Sequence, residues 1–217
     1  MKKIAVILSG SGVYDGSELH ESVLTLLAIE QQNASYRCFA PNIEQHHVIN
    51  HLTGEVAENE SRNVLVESAR IARGDIEDLS ELDVASYDAL ILPGGFGAAK
   101  NLSDFALSNG EYEVNKEVLN ACKDFANADK PVGYMCIAPV IAPFVNKEGV
   151  KITIGNDKSI AETLTKLGAE HQDCVVSDIV IDPANKVVTT PAYMLAENIS
   201  EAAEGIGKLV KAVVLFA

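Results

Sequence analysis

One cysteine stands where a strand pattern gives way to a helical pattern. Cys136 follows the apolar run 132–135 and precedes Ile137 and two residues compatible with a helix start. A cysteine at such a corner projects from the carboxyl end of a parallel sheet toward the next helix, whose free N–H groups favour a thiolate. This is the geometry of a nucleophile elbow. The G-x-S-x-G spelling of that motif is absent, so the prediction depends on the position of the cysteine.

A nucleophilic cysteine needs a proton partner, and two carboxyl groups are candidates. Glu18 and Glu21 lie three residues apart at the start of the first predicted helix, and therefore on one face. A carboxyl group held near a thiolate in a dry pocket has a raised pKa and can donate a proton. The alternative is that both carboxylates complement the helix N-terminus at the surface. The residues alone leave both readings open.

A glycine-rich turn supplies candidate hydrogen-bond donors. Gly94 and Gly95 follow a predicted strand and let the backbone approach a ligand closely. Together with the N–H group of Ile137, their N–H groups are predicted to form an oxyanion hole beside the sulfur of Cys136. The alternative is that the glycines only make a tight strand-to-helix turn.

Three further side chains are candidates for the pocket. Tyr14 and Asn101 follow two of the predicted strand ends, where ligands bind in open α/β sheets. His51 is the best placed of the five histidines, although most single histidines have no catalytic role. None of the histidines follows Cys136 closely, so the sequence shows no direct Cys-His pair.

No cofactor or metal is predicted. The run Ser9-Gly10-Ser11-Gly12 matches neither a dinucleotide fingerprint nor a P-loop. The four cysteines form no C-x-x-C pair, which argues against structural zinc and predicts free thiols in a reducing, cytoplasmic compartment.

Composition narrows the class of protein. The chain has 217 residues, of which 47% are hydrophobic and 22% charged, as in a soluble globular protein. Its net charge of −14 argues against nucleic acid or an anionic membrane as a partner. No apolar stretch approaches the ~20 residues that span a bilayer.

The elements that must position these residues alternate between strands and helices. This rhythm predicts one three-layer α/β domain over 1–217 with a mostly parallel central sheet. Two polar loops, 41–61 and 100–113, are long enough to be lids or interfaces. Strands are predicted at 4–8, 36–40, 89–92, 132–135, 151–154, 175–181 and 186–190, and helices at 18–31 (capped by Ser17), 62–72, 114–128, 140–145, 160–167 and 196–216.

These residues resemble those of the ThiJ/PfpI family, which belongs to the class I glutamine amidotransferase-like superfamily. The resemblance rests on the Pro-Gly-Gly-Phe-Gly turn at 93–97, on Cys136 with the Ile-Ala-Pro that follows, and on a glutamate in the first helix. It extends to the segments 8–18, 49–55, 94–102 and 189–196.

The resemblance implies a flavodoxin-like fold, a homodimer and a cofactor-free glyoxalase that converts glyoxal to glycolate. Protein deglycase activity and a connection with isoprenoid biosynthesis are also implied. By position, Cys136 matches the family's nucleophile, and Glu21 matches its carboxylic partner better than Glu18, which would need an insertion.

One family feature is absent. Many relatives carry a histidine shortly after the strand that follows the elbow helix, and segment 153–157 has none, so Asp157 or a residue of another chain is the candidate substitute. The C-terminal His-x-Glu of glutaminases is absent as well. Two alternatives to a glyoxalase stay open: a redox sensor that uses Cys136, and a scaffold that binds partners through the polar loops.

Overall fold

A mostly parallel sheet forms the centre of the molecule. The computed structural model describes residues 1–108 and 110–217. The sheet has seven strands in the order β3-β2-β1-β4-β5-β9-β8, and only β8 runs antiparallel to its neighbour. These strands are β1 (Lys3–Ile7), β2 (Ser35–Ala40), β3 (Ile76–Asp78), β4 (Ala89–Leu92), β5 (Val132–Met135), β8 (Val180–Asp182) and β9 (Val187–Thr190). The predicted α/β class with a mostly parallel sheet is confirmed.

Helices cover both faces of this sheet. They are α1 (Leu19–Gln31), α2 (Val64–Ile71), α3 (Phe96–Lys100), α4 (Lys116–Asn127), α5 (Ala142–Val145), α6 (Lys158–Lys166) and α7 (Ile199–Phe216). A second sheet of two short parallel strands, β6 (Lys151–Ile152) and β7 (Glu170–His171), lies against β8 and β9.

Successive side chains of a strand point to opposite faces of the sheet, and this divides the apolar side chains between two cores. In β1 and the residue after it, Ile4, Val6 and Leu8 belong to the core under α1 and α7, which pack together. Ala5 and Ile7 point to the opposite core, which α4 covers. All five are completely buried. A strand buried on both faces needs such a continuous apolar run, and this explains why it was predictable.

The first helix begins differently from the prediction. Its N-cap is Glu18, whose Oε2 accepts a hydrogen bond from the N–H of Glu21 at 2.7 Å. The predicted cap, Ser17, is wrong, because its hydroxyl accepts instead from the N–H of Ser9 at 2.8 Å. The serine is thereby used to close the loop between β1 and α1 at the carboxyl edge of the sheet.

Several short elements escaped prediction. The strands β3 and β7 and the helix α3 have at most five residues each, too few for a periodic pattern. The strand predicted at 175–181 begins only at Val180, and the one predicted at 151–154 pairs over its first two residues. Within the predicted loop 100–113, Asn109 lies outside the described residues.

Candidate active site

Cys136 occupies a strained turn at the end of β5. Its φ is 59°, in the left-handed region that residues other than glycine rarely adopt, at a cost of about 1–3 kcal/mol. The chain is held there because the N–H of Cys136 donates to the carbonyl oxygen of Thr190 at 3.0 Å. A four-residue 3₁₀ turn, Ala138–Ile141, follows. This is the strand–turn–helix arrangement of a nucleophile elbow.

Glu21 lies beside the sulfur and is completely buried. Its Oε2 accepts from the N–H of Gly94 at 2.8 Å, and its Oε1 accepts from the N–H of Tyr193 at 3.1 Å. Oε2 of Glu21 and the sulfur of Cys136 lie 2.8 and 2.9 Å from the same point, the place that a Cβ on Gly94 would occupy, so the two groups are neighbours. These contacts come from distant parts of the chain and fix both carboxyl oxygens.

Burial decides how this pair holds its protons. Burial, helped by the charge of Glu18, raises the pKa of Glu21 to about 7 from 4.5. Burial and the charge of Glu21 raise the pKa of the Cys136 thiol well above 9.0. The N–H groups of Gly95 and Ile137 lower that pKa and do not outweigh burial. The thiolate predicted from the helix N-terminus is therefore not favoured while Glu21 is charged.

The raised pKa of Glu21 predicts a pH-dependent stability. A buried carboxyl whose pKa rises on folding stabilises the protein fully below pH 4.5, and this contribution is lost as the pH rises through about 7. A shift of this size corresponds to about 3 kcal/mol. Denaturant unfolding between pH 4.5 and 8 should therefore show the loss in the native chain and not in Glu21→Gln. Glu30→Gln, an exposed change on the same helix, should keep the native slope. Equal slopes in all three proteins would contradict the assignment.

The glycine turn leaves no room for a side chain. A Cβ at Gly94 would lie 2.4 Å from Cβ of Cys136 and 2.8 Å from Oε2 of Glu21. Gly95 has a φ of 94°, and its N–H and that of Ile137 are near enough to the sulfur to lower the pKa of the thiol. These two backbone donors are close to where negative charge would develop during attack by the thiolate. The third predicted donor, the N–H of Gly94, donates instead to Glu21.

A cavity of about 250 Å³ opens in front of the sulfur. Its walls are mostly apolar, and Glu18 and Tyr193 are the polar side chains among the residues that line it. The lining is formed by Val13, Glu18, Gly95, Phe96, Ala99, Phe105, Ala106, Cys136, Ile137, Ile160, Tyr193 and Met194.

The other sequence candidates lie outside this lining. The rings of Tyr14 and His51 are in contact at a tilt of 33°, with centroids 5.0 Å apart, and the N–H of Tyr14 donates to Nε2 of His51 at 3.2 Å. Asn101 donates to the carbonyl oxygens of Ser9 and Asp15, each at 2.9 Å. These side chains join the loops around the site.

Asp157 does not line the cavity either. It caps α6, where its Oδ1 accepts from the N–H of Ile160 at 3.0 Å, and it is exposed. Its structural contribution is to fix the start of a helix whose Ile160 forms part of the cavity wall.

Tyr193 is the main site residue that the sequence analysis did not select. Its N–H holds Glu21, and its hydroxyl lies 2.8 Å from Nδ1 of His20 at the exposed rim. Burial and the charges of Glu18 and Glu21 raise its pKa, so the hydroxyl keeps its proton. The signal was available, because Tyr193 lies in the family-like segment 189–196.

Among residues 1–108 and 110–217, no three His, Cys, Asp or Glu side chains come together as a metal site. Within the same residues, no helix combines the length and hydropathy needed to cross a bilayer.

The elbow, the parallel sheet and the order of the strands define a class I glutamine amidotransferase-like protein. The chain is 48% identical to the mitochondrial ES1 protein homolog of Rattus norvegicus, over 97% of this chain and 82% of that protein. It is 47% identical, with the same coverage, to the mitochondrial glutamine amidotransferase-like class 1 domain-containing protein 3 of Homo sapiens. The chain therefore belongs to the ES1 family of glutamine amidotransferase-like class 1 domain proteins. No protein-family model matches it.

Solved structures agree with this class. An isoprenoid biosynthesis protein with an amidotransferase-like domain from Ehrlichia chaffeensis is 38% identical, with a TM-score of 0.93 over 100% of this chain and 99% of the other. A DJ-1 variant of Schizosaccharomyces pombe, 16% identical with a TM-score of 0.60 over 98% and 92%, shares the fold.

The predicted cytoplasmic location is wrong by this comparison. The rat and human relatives and a 33% identical ES1 protein of Danio rerio are all named as mitochondrial. The prediction used free cysteines, which indicate a reducing compartment and do not distinguish one such compartment from another.

Proposed function

We propose that this protein is a cofactor-free glyoxalase of the ThiJ/PfpI type, similar to the bacterial isoprenoid biosynthesis protein ElbB, which converts glyoxal to glycolate. The observation that carries the proposal is the buried pair of Cys136 and Glu21, which adjoin each other at Gly94 and in which the pKa of the carboxyl is about 7. A carboxyl group with this pKa can both accept and donate a proton near neutral pH.

The first step forms a carbon–sulfur bond. Glu21 takes the thiol proton as the sulfur of Cys136 attacks one aldehyde carbon of glyoxal, and the carbonyl π electrons move to the oxygen. The N–H groups of Gly95 and Ile137, which lower the pKa of the thiol in the free protein, stabilise that oxyanion. A protonated Glu21 carries no charge. The thiolate that forms beside it is therefore not destabilised by a neighbouring carboxylate, and this favours the attack.

The second step moves a hydrogen between the two carbon atoms. Glu21 first gives the thiol proton to the oxyanion, which leaves a neutral hemithioacetal and a free carboxylate. The carboxylate then takes the proton from the carbon bonded to sulfur and delivers it to the neighbouring carbon through an enediol-like state, while the hydroxyl proton of the first carbon passes to the oxygen of the second. The first carbon becomes a thioester, oxidised by two electrons, and the second becomes an alcohol, reduced by two. Water then attacks the thioester, the carbon–sulfur bond breaks, and glycolate leaves. No external oxidant or reductant is needed.

The redox-sensor alternative receives less support from the geometry. Cys136 is only 7% exposed, and burial and the charge of Glu21 raise the pKa of its thiol. Oxidant-sensing cysteines are typically accessible and have lowered pKa values. A protein deglycase activity would use the same attack on an aldehyde-derived adduct and remains part of the proposal, as does a homodimer.

Product analysis tests the proposal. Purified protein is incubated with glyoxal in D₂O, and glycolate is followed by NMR. We expect glycolate that carries deuterium on its CH₂ carbon, because the shuttled proton can exchange with solvent at Glu21. If the unmodified protein forms no glycolate, although iodoacetamide alkylates Cys136 in a separate sample and so shows that the thiol is accessible, the proposal is overturned.

A further inference from the structure

The walls of the cavity do not match glyoxal. Glyoxal is the smallest dicarbonyl compound, is strongly hydrated in water, and has no apolar part. The cavity of about 250 Å³ has the space of roughly eight water molecules. A substrate that leaves most of this space filled with water makes little use of an apolar wall.

The apolar part of the lining comes from several different elements. Phe96 begins α3, Phe105 lies in a 3₁₀ turn, Ile160 belongs to α6, and Met194 follows β9. Among the lining residues, Glu18 and Tyr193 have the polar side chains, and the hydroxyl of Tyr193 contacts His20 at the rim of the cavity. Such a site, with few polar groups and a mostly apolar wall, is typical of a pocket that binds an apolar substituent.

We propose that the preferred substrates are 2-oxoaldehydes with a branched aliphatic side chain of about four carbon atoms. This inference rests on the proposed function and adds the substrate class. The aldehyde carbon lies at Cys136, and the side chain lies on Phe96 and Ile160. 4-Methyl-2-oxopentanal represents the class. The sulfur adds to its aldehyde, the aldehyde hydrogen moves to the ketone carbon, water cleaves the thioester, and the product is a 2-hydroxy acid.

The preference is expected to be large. Each methylene group that a pocket buries changes the specificity of an enzyme severalfold or more. We therefore expect kcat/KM for 4-methyl-2-oxopentanal to exceed that for glyoxal by on the order of 100-fold. Methylglyoxal, which has one methyl group, should fall between them. Equal values for the three substrates, or values that decrease with size, would overturn the inference.

Two variants test the apolar wall of the cavity, one by removing a side chain from it and one by filling the space. Phe96→Ser removes a ring that is 46% exposed, so the core is not disturbed. Ala106→Trp fills the cavity from an exposed position. Each should lower the ratio of kcat/KM for 4-methyl-2-oxopentanal to that for glyoxal by about 10-fold. Leu52→Ser, a change of an exposed side chain outside the cavity, should leave the ratio as it is. A ratio that both wall variants leave unchanged would contradict the proposed contact.

A labelling experiment separates this inference from the proposed function. Chloroacetamides with an N-methyl or an N-isobutyl group alkylate Cys136 with loss of chloride, and mass spectrometry gives the two rates without any turnover. We expect the N-isobutyl reagent to react at least about 10-fold faster, and Phe96→Ser to remove that difference. If labelling shows this preference and no aldehyde is converted, the reaction is wrong and the ligand class is supported. If glyoxal is converted and labelling shows no preference, the reaction is supported and the ligand class is wrong.

Discussion

Replacement of Cys136 by alanine is expected to lower the turnover of glyoxal by at least about 1,000-fold. The mechanism requires a carbon–sulfur bond. Without the sulfur there is no nucleophile for the other site groups to assist, namely the N–H groups of Gly95 and Ile137 and the carboxyl of Glu21. The fold should persist, because alanine keeps the backbone N–H that donates to Thr190. The loss of one buried sulfur atom should cost about 1 kcal/mol in the free energy of unfolding.

The matched control is Cys174→Ala. Cys174 is a free, partly exposed thiol that lies outside the cavity lining. Its replacement should leave glycolate formation within about twofold of the native rate, since surface substitutions usually have small effects. Native turnover in Cys136→Ala would show that the sulfur is not the nucleophile.

Replacement of Glu21 by glutamine should lower kcat by about 100-fold or more, the usual contribution of a positioned acid or base. The amide cannot shuttle a proton. One of its ends also carries N–H groups, which would face a backbone N–H donor at Gly94 or Tyr193. Losing one of these buried hydrogen bonds should reduce the free energy of unfolding by about 1–3 kcal/mol.

Two measurements separate these effects. Denaturant unfolding gives the change in stability, and the kinetics are measured at a temperature where the variant is folded. KM should change less than kcat, because Glu21 lies behind the sulfur and not among the residues that line the cavity. Glu30→Gln on the exposed face of α1 should match the native protein. If Glu21→Gln keeps the native kcat, the proton shuttle must be another group.

The sequence was most informative where many residues share one pattern. The buried strand β1 and the long helices α1, α4 and α7 were predictable, because apolar periodicity reports directly on burial. The β8–β9 hairpin was predictable from the turn residues between its strands. The elements β3, β7 and α3 were missed because they are held by neighbouring strands and loops, and contacts of that kind leave no local pattern.

The candidate site was predictable where its geometry is determined by neighbouring residues in the sequence. A strand end followed by a glycine turn or a cysteine fixes backbone geometry locally, so Gly94, Gly95 and Cys136 could be brought together in advance. The positions of Tyr14, His51 and Asn101 depend on long-range hydrogen bonds to other loops. Likewise, the state of the thiol depends on how deeply it is buried beside a carboxylate, and the sequence pattern does not report this depth.

The hydrogen bond between the Tyr193 N–H and Glu21 has a consequence for the order in which the protein is made. Its partners are 172 residues apart, so it closes only after the chain has been synthesised as far as Tyr193. Before that, Glu21 lacks one of its fixed donors, and Cys136 lacks the Thr190 carbonyl that holds its turn. A chain that lacks these residues therefore carries an ordinary thiol, and the pair forms only once β9 and the turn after it have joined the sheet.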